Sequence, residues 1–276
     1  MTDKVANLPP LRDIIRDHEL RATKALGQNF LLDLNLTRKI ARQADIQSYD
    51  TLIEIGPGPG GLTRGLLLEG AQSVTAIEFD ERAVKALQSL VEAADGTLSL
   101  IHGDALAIDT LDFGADGTRK IVANLPYNIA TPLIINWLKQ IHDQGNDAYQ
   151  SLTLMVQKEV ADRITAKVST KQYGRLSILC QWLCHSIQAF DVPASAFVPP
   201  PKVTSTIIHL TPRPRNDTVA FNAIEKLTAA AFGQRRKTIR QSIKPFKDAL
   251  GATDIEQSLR AENLSIDDFL SIASKI

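Results

Sequence analysis

"TLIEIGPGPGGLT", Thr51 to Thr63, is the stretch on which the fold turns. Its first five residues form a short β-branched, apolar run, the pattern of a buried strand. The run breaks into Gly56-Pro57-Gly58-Pro59-Gly60, and the chain continues as "GGLTRGLLLEG", which has helical spacing. Strand, glycine turn and helix in that order predict the start of a βαβ unit. Glycines there let the backbone turn sharply and approach a ligand, while the helix N-terminus presents its free amides. Gly56, Gly58 and Gly61 also satisfy G-x-G-x-x-G. Taken alone, that spacing fits a dinucleotide site, another nucleotide-like ligand, or a glycine-rich turn that binds nothing.

Outward from this stretch, residues 50–157 keep alternating: "SVTAIEFD", "ERAVKALQSLVEAA", "LSLIHGD", "KIVANLPY", "TPLIINWLKQIH" and "SLTLMVQ" follow one another. Such alternation predicts an α/β fold with a Rossmann-like parallel sheet, right-handed crossovers and helices on both faces. Two later runs, "HSIQAFDV" and "TSTIIHLTP", are expected to close the sheet as an antiparallel pair, with "FVPPPKV" between them. "TPRPRND", Thr211 to Asp217, is a proline-rich polar joint. Residues 1–213 are therefore expected to form the ligand-binding domain and residues 214–276 a small all-helical one. Its helices are expected at "AFNAIEKLTAAAFG", "QRRKTIRQSI", "DIEQSLRAENL" and "SIDDFLSIASKI". The last would be capped by Ser265, with Asp267 and Asp268 in its first turn.

Composition narrows the function classes. The 276 residues are 44% hydrophobic and 22% charged, as in ordinary soluble proteins. No apolar run reaches the roughly 18 to 20 residues needed to cross a membrane. "MTDKVANLPPLRDIIRDHEL" lacks the apolar core of a secretory signal, so a cytoplasmic location is expected. Cys180 and Cys184 read as buried small hydrophobes, and the five scattered histidines lack metal-ligand spacing, so no metal is expected. Net charge is zero, yet from Phe197 to Lys247 ten basic residues face only Asp217 and Glu225. A local excess of that kind points to nucleic acid.

Glu54, Glu78, Asp104 and Asn124 each stand at the end of one of four successive strand patterns. Open parallel sheets bind ligands at that rim, beyond the strand C-termini. Any one of these side chains alone would pass as a solvated loop residue, but four in register make a site. Glu78 can accept from ribose hydroxyls, which suits NAD as well. The acid after the third strand suits an adenine amino group, and the glycine turn itself, Gly56 to Gly61, carries no Lys or Arg to direct at a phosphate. An acid-lined rim complements a cationic donor, so the reading tilts from NAD to S-adenosylmethionine.

The fourth strand runs into Asn124-Leu125-Pro126-Tyr127. A side-chain oxygen and a backbone carbonyl accepting from the N6 amino group of adenine would place its lone pair for transfer, a matter of positioning and electrostatics. Pro126 would fix the carbonyl, and Tyr127 offers a flat face to an unstacked base.

At this point the chain resembles the small-subunit rRNA adenine dimethyltransferase family, itself similar to the erythromycin-resistance rRNA methylases and to mitochondrial transcription-factor relatives. The resemblance rests on "LGQNFL" (Leu26 to Leu31), "EIGPGPGGLT", "IEFD", "GDAL", "NLPYNIATP", "VQKEVADR", "YGRLS", "FVPPPKV" and "FGQRRKT", spread over nearly the whole chain. It implies a class I methyltransferase that dimethylates N6 of two adjacent adenosines in a hairpin loop near the 3′ end of small-subunit rRNA. It also implies residue roles. Gln28, Asn29 and Leu31 would fold over the donor, Glu54 and Gly56 would contact its methionine part beside Gly58, and Glu78 and Asp104 would hold its ribose and adenine. Asn124, also expected among the donor-binding residues, and the carbonyl of Leu125 or Pro126 would hold the target N6 with Tyr127 stacking, and Phe197 would close the other face of the base.

Arg236, Arg240, Lys244 and Lys247 recur at helical spacing, and no acid lies between Phe232 and Lys247. Together with Arg235 and Lys237 they are expected to meet rRNA phosphates, within an immature small-subunit particle. A large-subunit rRNA substrate and a role chiefly in subunit assembly are the alternatives. A monomer without membrane attachment is expected.

Overall fold

A computed structural model describes residues 2–20, 28–114 and 118–276. Its main sheet has seven strands: β1 (Asp50–Ile55), β2 (Val74–Glu78), β3 (Leu98–His102), β4 (Thr118–Asn124), β5 (Ser151–Gln157), β6 (Cys184–Val192) and β7 (Ser205–Pro212). Their order is β3-β2-β1-β4-β5-β7-β6. The first five are parallel, and β7 runs antiparallel to both β5 and β6. The expected antiparallel pair is present, with β7 inserted between β5 and the edge strand β6. Strand order reverses between β1 and β4, and a doubly wound sheet opens a crevice at that point.

The inner parallel strands are apolar at their centres because both of their faces are covered there. Leu52, Val74, Ala76 and Val122 point to one face and pack with Ile40 of helix α1 (Leu34–Arg42), Leu66 of α2 (Gly61–Leu68) and Leu90 of a helix spanning Gln88–Ala94. Their alternate neighbours Ile53, Ile77, Ile121 and Ala123 point to the other face, against Ile134, Trp137 and Leu138 of α3 (Ala130–Gln144). Glu54 shares the α2 face with Leu52, which brings its carboxyl beside Thr63 on that helix. No helix among the described residues is long and apolar enough to cross a membrane.

Chain spacing at α2 depends on two glycines, Gly65 against the Thr37 backbone and, more tightly, Gly61 against that of Leu31. A Cβ on Gly61 would lie 2.4 Å from the Leu31 carbonyl oxygen, a backbone atom with no room to yield. Gly61→Ala should therefore destabilise the protein by about 1–3 kcal/mol, read as a lowered Tm. Gly233→Ala, at the end of a helix where a Cβ meets nothing within 4 Å, serves as the control and should leave Tm unchanged or slightly raised.

The chain leaves β7 at Pro212 and enters the joint, where Arg215 bonds to Asp217, to the His142 and Val219 carbonyls, and lies over the Trp182 ring. The C-terminal helices share one hydrophobic cluster with the sheet: Ile224 and Leu227 of α4 (Phe221–Gly233) and Phe269 and Ile272 of the last helix (Ile266–Ala273) join Trp137 and Trp182. Ser265 caps the last helix as expected, accepting from the Asp268 amide at 3.1 Å.

Two helical expectations fail here. "QRRKTIRQSI" is helical only over Ile239–Ser242, and "DIEQSLRAENL" holds only a 3₁₀ turn at Ala261–Asn263. The two segments take each other's backbone groups instead. Thr238 bridges to Arg260, and the Ile239 amide donates to the Leu259 carbonyl at 2.6 Å. Buried Ile239 and Ile243 anchor this crossing in the core, and a tertiary pairing outweighs local helix propensity. Arg236, Arg240, Lys244 and Lys247 therefore do not line one face of a continuous helix.

Candidate active site

The donor half begins at the glycine turn. Gly56, Gly58 and Gly60 have φ of +65°, +55° and +87°, a region where a Cβ is strained. With the loop so curled, the Gly58 amide points at β2 and donates to Glu78 Oε2 at 2.9 Å. Glu78 Oε1 accepts from the Asp80 amide at 2.8 Å. Burial raises the Glu78 pKa, and the amides of Asp80, Gly58 and Phe79 oppose that rise. Each carboxylate oxygen keeps a further lone pair for a ligand hydroxyl.

Glu54 is 1% exposed, and its Oε2 has no hydrogen-bond partner among the described residues. Burial pushes its carboxyl up to about 8, with Glu78 adding to the rise and Thr63 working against it. Among the described residues neither Glu54 nor Glu78 pairs with a cation, whereas a buried carboxylate ordinarily requires a partner. The donor half is thus built for a cationic ligand with hydroxyls to offer.

Gln28 to Leu31 cross above the glycine turn. Phe30 and Leu31 pair antiparallel with Val198 and Phe197, and Gln28 Nε2 donates to Asp80 at 3.1 Å. Asp80 is itself held down to about 2, chiefly by its bond with Arg82. Leu26 and Gly27 of the same motif lie outside the described residues. Asp104 stands exposed just beyond β3, with Oδ1 accepting from the Leu106 amide at 2.9 Å.

On the acceptor side, Asn124 Nδ2 donates to the Asn29 carbonyl at 3.2 Å. A carbonyl there demands a donor, so the amide is oriented with Oδ1 left as acceptor. The chain continues through Leu125, whose amide donates to the Met155 carbonyl at 3.2 Å and whose side chain is buried. The Pro126 carbonyl accepts from the Ile129 and Ala130 amides in the first turn of α3, whereas the Leu125 carbonyl has no partner among the described residues. Of the two carbonyls expected as candidates, Leu125 is the one left free. Tyr127 is half-buried and bonds through its hydroxyl to Ser205 Oγ at 2.8 Å.

Every donor-side and acceptor-side residue singled out from the sequence, from Gln28 to Tyr127, lines one cavity of about 230 Å³. Sequence reasoning missed its apolar walls, Phe30, Phe79 and Leu106. Phe79 was the most legible of these: an aromatic directly after a strand-terminal acid, it is 60% exposed at the rim.

Two expectations need correction. Phe197 does not line the cavity; it is 2% exposed and packed with Leu31, Val122 and Ile207, because its pairing with Leu31 turns the ring into the core. Arg235 is not a free phosphate ligand. It donates to the Lys171 and Tyr173 carbonyls and pairs with Glu262, so it ties the C-terminal segment to the loop before α5 (Arg175–Leu183). Arg236, Lys237, Arg240 and Lys244 are exposed and form no ion pair among the described residues.

A family model described as ribosomal RNA adenine dimethylase matches residues 19–276. Among curated proteins, the chain is 52% identical over 269 residues to the ribosomal RNA small subunit methyltransferase A of Allorhizobium ampelinum, covering 97% of each chain. It is 48% identical over 276 residues to the protein of that name from a Bradyrhizobium species, covering 99% of this chain and 96% of the relative. Among solved structures, a dimethyladenosine transferase from Plasmodium falciparum superposes with a TM-score of 0.72 at 27% identity, covering 88% of this chain and 95% of the other. The 23S rRNA methyltransferase ErmE shares the fold, with a TM-score of 0.64 at 24% identity over 90% of this chain and 99% of its own.

Proposed function

The chain belongs to the ribosomal RNA adenine dimethylase family, and we propose that it transfers methyl groups from S-adenosylmethionine to N6 of two adjacent adenosines near the 3′ end of small-subunit rRNA, giving N6,N6-dimethyladenosines during subunit maturation in the cytoplasm. The observation that carries this reading is that Asn124, whose Nδ2 is engaged by the Asn29 carbonyl, and Leu125, whose carbonyl has no partner among the described residues, line the same cavity as the buried Glu54, whose Oε2 likewise has none among them.

When bound, S-adenosylmethionine supplies an electrophilic methyl group on a cationic sulfur. Glu54 and Gly56 receive its methionine part, Glu78 accepts from its ribose hydroxyls, and Asp104 accepts from its adenine amino group. Gly58 keeps Glu78 in place, while Gln28, Asn29 and Leu31 exclude water from above. The target N6 is a poor nucleophile because its lone pair is conjugated into the ring. Two acceptors, Asn124 Oδ1 and the Leu125 oxygen, hold its hydrogens and favour a pyramidal nitrogen with its lone pair free, a contribution of positioning and charge complementarity. Tyr127 supports the flipped base by stacking. Arg236, Lys237, Arg240 and Lys244 bind rRNA phosphates, which makes affinity salt-dependent and leaves selectivity to RNA shape and the pocket.

The decisive experiment is labelled methyl transfer to purified small and large subunits lacking the modification, with the labelled adenosines mapped. Two adjacent adenosines on the small subunit are expected; label on the large subunit alone, or on neither, overturns the proposal.

Donor binding should also release a proton. With its carboxyl at about 8, Glu54 is protonated at pH 7 and must ionise to pair with the donor's ammonium. Because the pKa is raised in the folded protein and falls on pairing, affinity should rise with pH from 6 to about 8, by up to about tenfold per unit. Above that it levels off, because Glu54 is then already ionised in the free protein and binding releases no further proton. Calorimetry of S-adenosylhomocysteine in buffers of different ionisation enthalpy should show a proton leaving at pH 7. Methylthioadenosine, which lacks the amino-acid part, should release none.

A further inference from the structure

The proline-rich "FVPPPKV" runs on through Thr204 to Ser205, a residue to which the donor and acceptor roles give no task and the structure does. We propose that Ser205 is a positioning residue for the acceptor base, holding Tyr127 so that the ring presents its face to the cavity. The inference rests on the reading that Tyr127 stacks on the target adenine.

Tyr127 lies in the irregular turn between β4 and α3, not in the sheet ladder or the helix. Among the described residues its side chain makes one hydrogen bond, between its hydroxyl and Ser205 Oγ at 2.8 Å, in which either oxygen can donate. Its ring lines the cavity, so without that bond nothing polar would restrain rotation about the side-chain torsions. Ser205 is well suited to be the fixed end. It is fully buried, it opens β7, and its backbone is paired with Gln157 on one side and Val192 on the other. The chain entering it is pinned by the Lys158 amide donating to the Thr204 carbonyl at 2.9 Å. The next residue, Thr206, is turned away to Asp191. Burial raises the Tyr127 phenol above its ordinary value, which keeps it neutral and the bond intact through the working pH range. In this way the antiparallel end of the sheet, remote from the donor, reaches the acceptor pocket.

The test is a double-mutant cycle on methyl transfer to unmodified small subunits. Ser205→Ala and Tyr127→Phe should each lower kcat/KM about tenfold, the worth of one oriented hydrogen bond. S-adenosylhomocysteine should bind each variant as it binds the unaltered protein, since neither atom touches the donor half. The double variant should be no worse than either single one, within about twofold, because the same bond is lost in all three. Ser205→Cys, which keeps a weak donor of similar size, should fall between. Losses that multiply in the double variant, or a Ser205→Ala protein within twofold of the unaltered one, overturn the role of Ser205. Tyr127→Ala separates the two readings: full activity in that variant overturns the stacking role, whereas a large loss beside an unaffected Ser205→Ala overturns only the present inference.

Discussion

Asn124→Ala should lower kcat for methyl transfer by about 10²–10³-fold, the usual cost of removing an oriented group that acts on the reacting atom. The loss should fall on chemistry, because Asn124 Nδ2 is spent on the Asn29 carbonyl, which in the proposed mechanism leaves Oδ1 for the acceptor. S-adenosylhomocysteine should therefore bind within a few-fold of its normal affinity. Asn124→Asp keeps an acceptor oxygen but sets a carboxylate against the Asn29 carbonyl, and its activity should lie between. Single-turnover transfer to unmodified small subunits, with donor affinity measured in parallel, decides the matter. An Asn124→Ala protein with kcat within threefold of normal would sink the assignment. The same variant tests whether subunit assembly depends on catalysis: maturation that proceeds in its presence separates docking from methylation.

Glu78→Ala should weaken donor binding by about 100-fold or more. Hydrogen bonds to a charged group are worth roughly 1.5–3 kcal/mol each, and two ribose hydroxyls are at stake. The substitution also leaves the Gly58 and Asp80 amides without their acceptor, so the glycine loop loses its tie to β2. Asp104→Ala, at an exposed position beyond β3, should cost only about tenfold, because water replaces much of what the carboxylate offers there. Titration of each variant with S-adenosylhomocysteine gives the comparison. An equal loss in both would show that burial does not govern the donor site.

The parallel sheet and its crevice were legible because they depend on local pattern. Apolar β-branched runs, glycines at the turn and acids at strand ends are properties of short windows, and each predicts its own geometry. The C-terminal region was less legible. "QRRKTIRQSI" and "DIEQSLRAENL" both carry helical composition, yet each gives its backbone groups to the other across the Thr238–Arg260 bridge. Propensity is a weak prior against such a pairing. Arg235 shows the same limit for charge. In the sequence it is one of a basic run, and in the fold three acceptors from distant segments have already claimed it.

By itself the sequence determined the α/β class, the strand ends that carry Glu54, Glu78, Asp104 and Asn124, and the family, since all of these are written in contiguous motifs. Tertiary structure alone decided which of the two carbonyls beside Asn124 is occupied, for the first turn of α3 consumes the Pro126 oxygen and, among the described residues, spares that of Leu125. It alone turned Phe197 into the core and brought Ser205 to Tyr127. Those outcomes are set by which partner is nearest when distant strands meet, and no local window of residues contains that distance.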